Sequence, residues 1–239
     1  MSRRFFVDLP ITSETATLTG QEAHHLSKVM RAKVGDELIL FDGQGGEFPA
    51  RIAKIGRSEI ELSVIERRNI SRELPFRLVV GAALPKGDRQ RWLVEKLVEL
   101  GVSELVPLVT ERSVAQPSGN TLERLRRAVI EASKQCGRNQ LMAVGHATTF
   151  NSFLAEATES ATKLIAHPPT PDEGATSWST NAGAAIIAVG PEGGFTEEEI
   201  ALANDHYWTN VSLGTRVLRT ETAAVALASV IALQYKSSE

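Results

Sequence analysis

Arg216, Arg219 and Glu221 stand just before the most apolar stretch of the chain, in "RVLRTETAAVALASVIALQY". Three charges entering so apolar an element ask for partners. An arginine offers a planar fork of donors to an anion that develops during a reaction, and a glutamate can take a proton or orient a neighbour. The plainer alternative is a salt-bridged helix start. A second stretch with chemical character is "VGPEGGFTEEEI", from Val189 to Ile200. Glycine-rich loops entering helices often cradle phosphate. Here Glu197, Glu198 and Glu199 crowd the first helical turn, where they suit the helix dipole and would repel a phosphate. The spacing matches neither the dinucleotide fingerprint nor the P-loop. Taken alone, this loop reads best as an ordinary tight turn. Thr196 and Glu199 have the spacing of a capping box. His24 and His25 have no metal-ligand spacing around them, and no metal is expected.

The surrounding elements decide whether these residues can meet. "AAIIAVG" is a continuous apolar strand, which puts the first glycine loop at its C-terminal end, the edge where open α/β sheets bind ligands. "NVSLG" repeats the design, with Gly214 after a strand and a helix capped near Thr220. That helix, read as Thr222 to Tyr235, is apolar on nearly every side and must be buried in the domain or against another subunit. Further upstream, "FRLVVGAAL", "ELVPLV" and "KLIAH" read as buried strands. "DRQRWLVEKLVEL" has helical spacing through Trp92, Leu93, Leu97 and Leu100, with Gly101 as its C-terminal cap. "TLERLRRAVIEASKQCG" is a second helix, with Asn120 and Glu123 spaced as cap and partner. Alternating strands and helices predict a parallel α/β sheet. The first ~70 residues read differently. "ELILFDGQGGEFPARIAKI" is a hairpin signal, "EIELSVIE" alternates strictly, and one short helix is expected over "QEAHHLSKVMR" with Leu26, Val29 and Met30 inward. Short strands in so small a segment suggest a compact barrel. The polar run "RRNISRELP" is the expected linker.

Two glycine loops and a helix start with Arg, Thr and Glu make a concave, mostly backbone-lined site. It suits an uncharged nucleoside better than a polyphosphate, and acidic neighbours tolerate a cation. S-adenosylmethionine, a nucleoside with a sulfonium and no phosphate, meets both conditions. Composition bounds the rest. The chain has 239 residues, 42% of them apolar, and one cysteine, Cys136, which suits a reducing compartment. The N-terminus has no signal-like apolar stretch, and no apolar run nears the ~20 residues of a membrane span. A cytoplasmic protein with no membrane partner is expected. Net charge is -3, but its distribution is uneven: residues 76–140 hold 11 basic against 7 acidic side chains, and residues 141–239 hold 4 against 11. A local basic field is enough to steer an anionic partner.

"GPEGGFTEEEI" with "LGTRVLRTETAA" resembles the C-terminal signature of the SPOUT superfamily of RNA methyltransferases. Within it the chain is similar to the RsmE-type enzymes, which methylate N3 of a uridine in 16S ribosomal RNA. The likeness runs almost end to end, through "RRFF", "HHLSKVMRAKVGDELILFDGQGGEF", "ALPKGDR", "ELGVSELVPLVTERSV" and "EASKQCGR". Thr215 stands where that family has proline. The resemblance implies a PUA-like RNA-binding β-barrel over residues 1–72. It implies a SPOUT α/β domain over 73–239, with a parallel sheet and a trefoil knot that holds S-adenosylmethionine. It also implies a homodimer acting on 16S rRNA within the assembled 30S subunit. Cofactor contacts carry over to Gly190, Pro191, Glu192, Gly193 and Gly194, and to Leu213, Gly214, Leu218, Arg219, Thr220, Thr222 and Ala223. Uracil N3 becomes nucleophilic only as its proton leaves, so Arg219 is the candidate to stabilise the imidate. Glu221 is the candidate base, or else orients its loop. Arg3, Arg4, Arg31, Lys86, Arg112 and Arg138 are the candidate RNA contacts. The rivals are a non-catalytic RNA-binding protein on this fold, a SPOUT enzyme with another target such as transfer RNA ribose, and a nucleotide-phosphate enzyme.

Overall fold

The computed structural model describes residues 4–114, 117–168 and 183–234. The chain divides into two compact units. One comprises Met1–Glu73 with Ile130–Leu141, the other Leu74–Val129 with Met142–Glu239.

The first unit contains β1 (Arg4–Phe6), β2 (Thr15–Thr19), α1 (Gly20–His24), β3 (Glu37–Phe41), β4 (Glu47–Ile55) and β5 (Glu59–Val64). They form one five-stranded curled sheet in the order β1-β3-β4-β5-β2. All its pairs are antiparallel except β1 with β3. Alternation does what the sequence promised: Ala16 and Leu18 of β2 and Ile60 and Leu62 of β5 point into a core shared with Phe5, Leu40 and Ile52. The expected hairpin is present, with Phe41 opposite Glu47. Gly43 and Gly45 take the positive φ its turn requires, 78° and 93°.

One expectation for this unit is corrected. The single helix over residues 21–31 is α1 followed by a π-helical turn, His25–Val29. Ser27 Oγ donates to the Ala23 carbonyl at 2.7 Å, and Met30 N–H reaches back to His25 O. The wider turn shifts the apolar stripe, so Leu26 is buried while Val29 is 64% exposed. The polar run expected as the linker contains the division between the two units, after Glu73, and is hydrogen-bonded within the first. Arg68 exchanges both backbone bonds with Glu47, Asn139 Nδ2 donates to Ile70 O at 2.9 Å, and Arg72 donates to Gly137 O at 2.9 Å.

The second unit contains β6 (Arg77–Ala83), α2 (Arg89–Glu99), β7 (Glu104–Val109) and the start of α3 (Gly119–Cys136). It continues with β8 (Ala143–Val144), β9 (Thr148–Thr149), α4 (Phe150–Glu156), β10 (Thr162–Ala166), β11 (Ala184–Val189), α5 (Glu197–Asp205), β12 (Thr209–Val211) and α6 (Thr220–Gln234). The strands form a wholly parallel sheet in the order β12-β10-β11-β6-β7-β8, with β9 also beside β7. β6 and β11 are buried almost throughout, as their continuous apolar runs require. α2 ends in a Schellman motif: Val102 N–H bonds Leu97 O at 3.0 Å, Gly101 N–H bonds Val98 O at 3.1 Å, and Gly101 has φ 81°. Two details differ from expectation. Trp92 lies off the buried stripe of α2, 42% exposed, while Leu93, Val94, Leu97 and Val98 are fully covered. The cap of α3 is Ser118, whose hydroxyl accepts from Thr121 N–H at 3.3 Å, and Asn120 lies inside the helix.

Candidate functional site

Register places the site. Ala166 of β10 is level with Val189 of β11 and with Val211 of β12. The segments that follow, starting at His167, Gly190 and Ser212, therefore leave the sheet side by side at its C-terminal edge.

The first glycine loop is held from several sides. Thr196 and Glu199 form the expected capping box, with Glu199 N–H on Thr196 Oγ1 at 3.1 Å and Thr196 N–H on Glu199 Oε2 at 2.9 Å. The other Glu199 oxygen accepts from Glu111 N–H at 2.9 Å. Glu198 is held below the ordinary carboxylate range, first by its own backbone N–H and then by the Thr196 hydroxyl. Phe195 is buried against Phe150, with ring centroids 4.6 Å apart. Gly194 turns the loop at φ 70°. Arg112 donates to the carbonyls of Gly193, at 2.8 Å, and Phe195, at 3.4 Å. A side chain at Gly193 would meet the Arg112 stem at 3.3 Å, and one at Gly190 would meet the Phe195 ring at 3.1 Å.

The second loop leaves β12, turns at Gly214 with φ 105°, and enters α6 at Thr220. Thr220 is 3% exposed, and its hydroxyl donates to Gly190 O at 3.0 Å, which ties the two loops together. Between the loops is a cavity of about 280 Å3. Residues 189–195 form one wall and residues 213, 214 and 216–218 another, with Thr220 and Ala223 behind and Ala166, His167 and Pro168 on the third side. His167 Nδ1 is buried in that wall without a partner among the described residues. A second cavity, about 490 Å3, is lined by Arg89, Trp92, Val217, Leu218, Arg219, Glu221 and Thr222. Val217 and Leu218 form part of both linings. Arg89, at the start of α2, spans the carboxylates of Glu192, at 3.3 Å, and Glu221, at 3.5 Å.

All the residues named above as cofactor contacts line the first cavity except Arg219 and Thr222, which line the second. The sequence reading left out Val189, Phe195, Val211 and Val217 there, and Arg89 and Trp92 in the second cavity. The segment "AHPPTPDEG" is the expected edge of the adenosine pocket, and its Ala166, His167 and Pro168 line the cavity; the rest of it, from Pro169, lies outside the described residues. Nothing in the sequence links Arg89 to Glu221, which come together only in the fold.

The candidate RNA contacts separate into different environments. Arg4 is 7% exposed and bonds Glu47 at 2.6 Å and Asn139 at 2.5 Å. Arg138 is 3% exposed and pairs with Glu73 through two donors. Neither guanidinium faces solvent, because each neutralises a carboxylate inside the first unit. Arg112 is exposed and gives one guanidinium nitrogen to the glycine loop. Arg31 and Lys86 are exposed, and Arg31, just past the C-cap of the π turn, has φ 51°. Arg3 lies outside the described residues.

A ligand cavity between two backbone loops, at the C-terminal edge of a parallel sheet, defines an α/β domain built to bind a small molecule. The chain matches an RNA methyltransferase domain over residues 72–232 and an RNA methyltransferase PUA domain over residues 18–65, and it belongs to this RNA methyltransferase family. It is 37% identical to the ribosomal RNA small subunit methyltransferase E of Synechocystis sp., over 93% of this chain and 75% of that protein. It is 30% identical to the enzyme of the same name from Bacillus subtilis, over 97% of this chain and 96% of that one. Among solved structures, the ribosomal RNA small subunit methyltransferase E of Neisseria gonorrhoeae bound to S-adenosyl methionine superposes with a TM-score of 0.85. The two are 30% identical, and 97% of each chain is covered.

Proposed function

We propose that this chain transfers a methyl group from S-adenosylmethionine to N3 of a specific uridine in 16S ribosomal RNA. The observation that carries the reading is the pair of adjoining cavities: a largely apolar, backbone-lined one, and a second lined by Arg219 and Glu221. The first fits the cofactor. Apolar residues and glycine backbone suit an adenosine, His167 Nδ1 is an open polar group for it, and Glu192 at the rim suits a cation. When bound, S-adenosylmethionine supplies a methyl carbon already activated by sulfonium. The protein's part is positioning and electrostatics. Thr220 and Arg112 hold the two loops, and the trefoil knot of the family would fix them further. Arg219, exposed in the second cavity, offers its donors to the oxygens of a uracil losing its N3 proton.

The first unit, with its PUA match, holds the RNA, and the assembled 30S subunit is the substrate. The functional form is a homodimer. α6 buries Ala224, Leu227, Ala228 and Ile231 within the chain and leaves Val230 and Leu233 exposed, a second apolar face that a copy of α6 could cover. No helix among the described residues is long and apolar enough to cross a membrane, and the cytoplasm is the proposed compartment. Turnover of labelled S-adenosylmethionine on 30S subunits and on naked 16S RNA, with nucleoside mass spectrometry of the product, tests the reading. The expected product is 3-methyluridine. A 2′-O-methyl or 5-methyl product refutes the assignment, and binding without turnover favours a non-catalytic RNA-binding protein.

A further inference from the structure

We infer that the second cavity is the docking site of the target uracil ring, and that Arg89 is the positioning residue that aims Glu221 at the ring's N3. This rests on the methyl-transfer reading above. Three observations lead to it. The cavity adjoins the first, with Val217 and Leu218 in both linings, so a base held there lies next to whatever fills the cofactor cavity. Glu221 is 5% exposed, and its Oε2 is buried without a hydrogen-bond partner among the described residues, in a lining where Oε1 already faces Arg89. A buried carboxylate oxygen left open is costly, and it asks for a donor. Trp92, the largest apolar side chain of α2, is turned off that helix's buried stripe and into the wall of this cavity.

The polar edge of uracil presents an acceptor, a donor and an acceptor: O2, N3–H and O4. The lining offers the complement. The Glu221 carboxylate is the acceptor, and the guanidiniums of Arg89 and Arg219 are the donors on the same cavity. Cytosine carries a lone pair at N3 and would set it against the carboxylate, so the same groups select against it. The indole face of Trp92 gives the ring a stacking surface. Arg89 holds both carboxylates at distances longer than tight charge-assisted bonds, 3.3 Å to Glu192 and 3.5 Å to Glu221. It thus links the cofactor loop to the start of α6 and keeps donors for the base. In the reaction, the N3 proton passes to the Glu221 carboxylate and the electron pair left on N3 forms the bond to the methyl carbon. The carbon–sulfur bond breaks with its pair retained by sulfur.

The test begins by mapping the uridine methylated by the wild-type protein. 16S RNA carrying 5-iodouridine at that position is made by ligation, reconstituted into 30S subunits and irradiated with the protein. The expected crosslink, located by peptide mass spectrometry, is to Trp92, and Trp92→Ala abolishes it. Arg89→Ala should slow single-turnover transfer by roughly 100-fold, the cost of a misplaced reacting group, with Arg89→Lys recovering part. Both variants should still bind S-adenosylmethionine in calorimetry, which shows that they are folded. Glu221→Gln should bring binding of 30S subunits with cytidine at the mapped position closer to that of uridine subunits, because the amide can donate to cytosine N3. A crosslink outside this cavity overturns the proposal, and so does an Arg89→Ala protein with unchanged transfer. If the wild type methylates no uridine, the functional reading itself fails and this site falls with it.

Discussion

At the scale of the residue, Arg219 is the sharpest case. It is exposed in the second cavity, where a guanidinium can meet the negative charge that grows on a uracil as its N3 proton departs. Arg219→Ala should raise the barrier of the transfer step by roughly 2–4 kcal/mol, the size of one lost oxyanion donor, with far less effect on cofactor binding. Arg219→Lys should restore only part, since an ammonium lacks the planar fork. The check is a single-turnover pH profile: the wild-type rate should rise with pH until N3 ionisation stops limiting it. An unchanged rate in Arg219→Ala removes this residue from the chemistry and leaves the reaction standing.

At the scale of the element, the buried charges of the first unit do structural work. Burial pushes the Glu47 carboxyl up, but the Arg4 and Arg72 guanidiniums outweigh it and hold it below the ordinary range. Its folded value is lower than its unfolded one, so the stability it contributes is present above the unfolded value and is lost as pH falls through the folded one. Acid destabilisation of this unit should therefore set in below about pH 4.3, the ordinary glutamate value. Glu47→Gln should cost roughly 3–5 kcal/mol at neutral pH, because Arg4 is left buried without its partner, and should flatten that acid limb. Urea unfolding at several pH values measures both effects. Equal acid sensitivity in wild type and variant would show that other carboxylates set the limb. The same network explains why "EASKQCGR" carries charges at all: Arg138 and Asn139 fasten residues 130–141 to Glu73, Ile70 and Arg4.

At the scale of the whole molecule, the uneven charge and the exposed apolar face of α6 each make a prediction. With Arg4 and Arg138 occupied inside, the test of RNA steering moves to exposed side chains. Arg31→Glu with Lys86→Glu should weaken RNA binding more at low salt than at high, lowering the salt slope by about two. S-adenosylmethionine affinity should stay unchanged in calorimetry, and a parallel loss of both affinities would end the proposed division of labour. If the proposed dimer forms through this face, Val230→Glu with Leu233→Glu should give a monomer in sedimentation, since two buried charges would replace an apolar face. A wild-type chain that sediments as a monomer would refute the dimer.

What the amino-acid sequence decided by itself is what depends on local rules. Continuous apolar runs dictated buried parallel strands, strict alternation dictated the curled sheet of the first unit, and Thr196 with Glu199 or Gly101 with its helix set their own caps, because the interacting groups lie within a turn of each other. Both glycine loops were recognisable for the same reason, and the extended motifs marked the family. What needed the tertiary structure are the meetings across long separations. β6 lies beside β11, Arg89 reaches Glu192 and Glu221, Thr220 fastens Gly190, and Arg4 and Arg138 are drawn inward to carboxylates that no spacing rule pairs with them. An arginine in a sequence is equally a surface cation or half of a buried pair; only the packing around it settles which, since burial stabilises the pair only when the partner arrives from elsewhere in the chain.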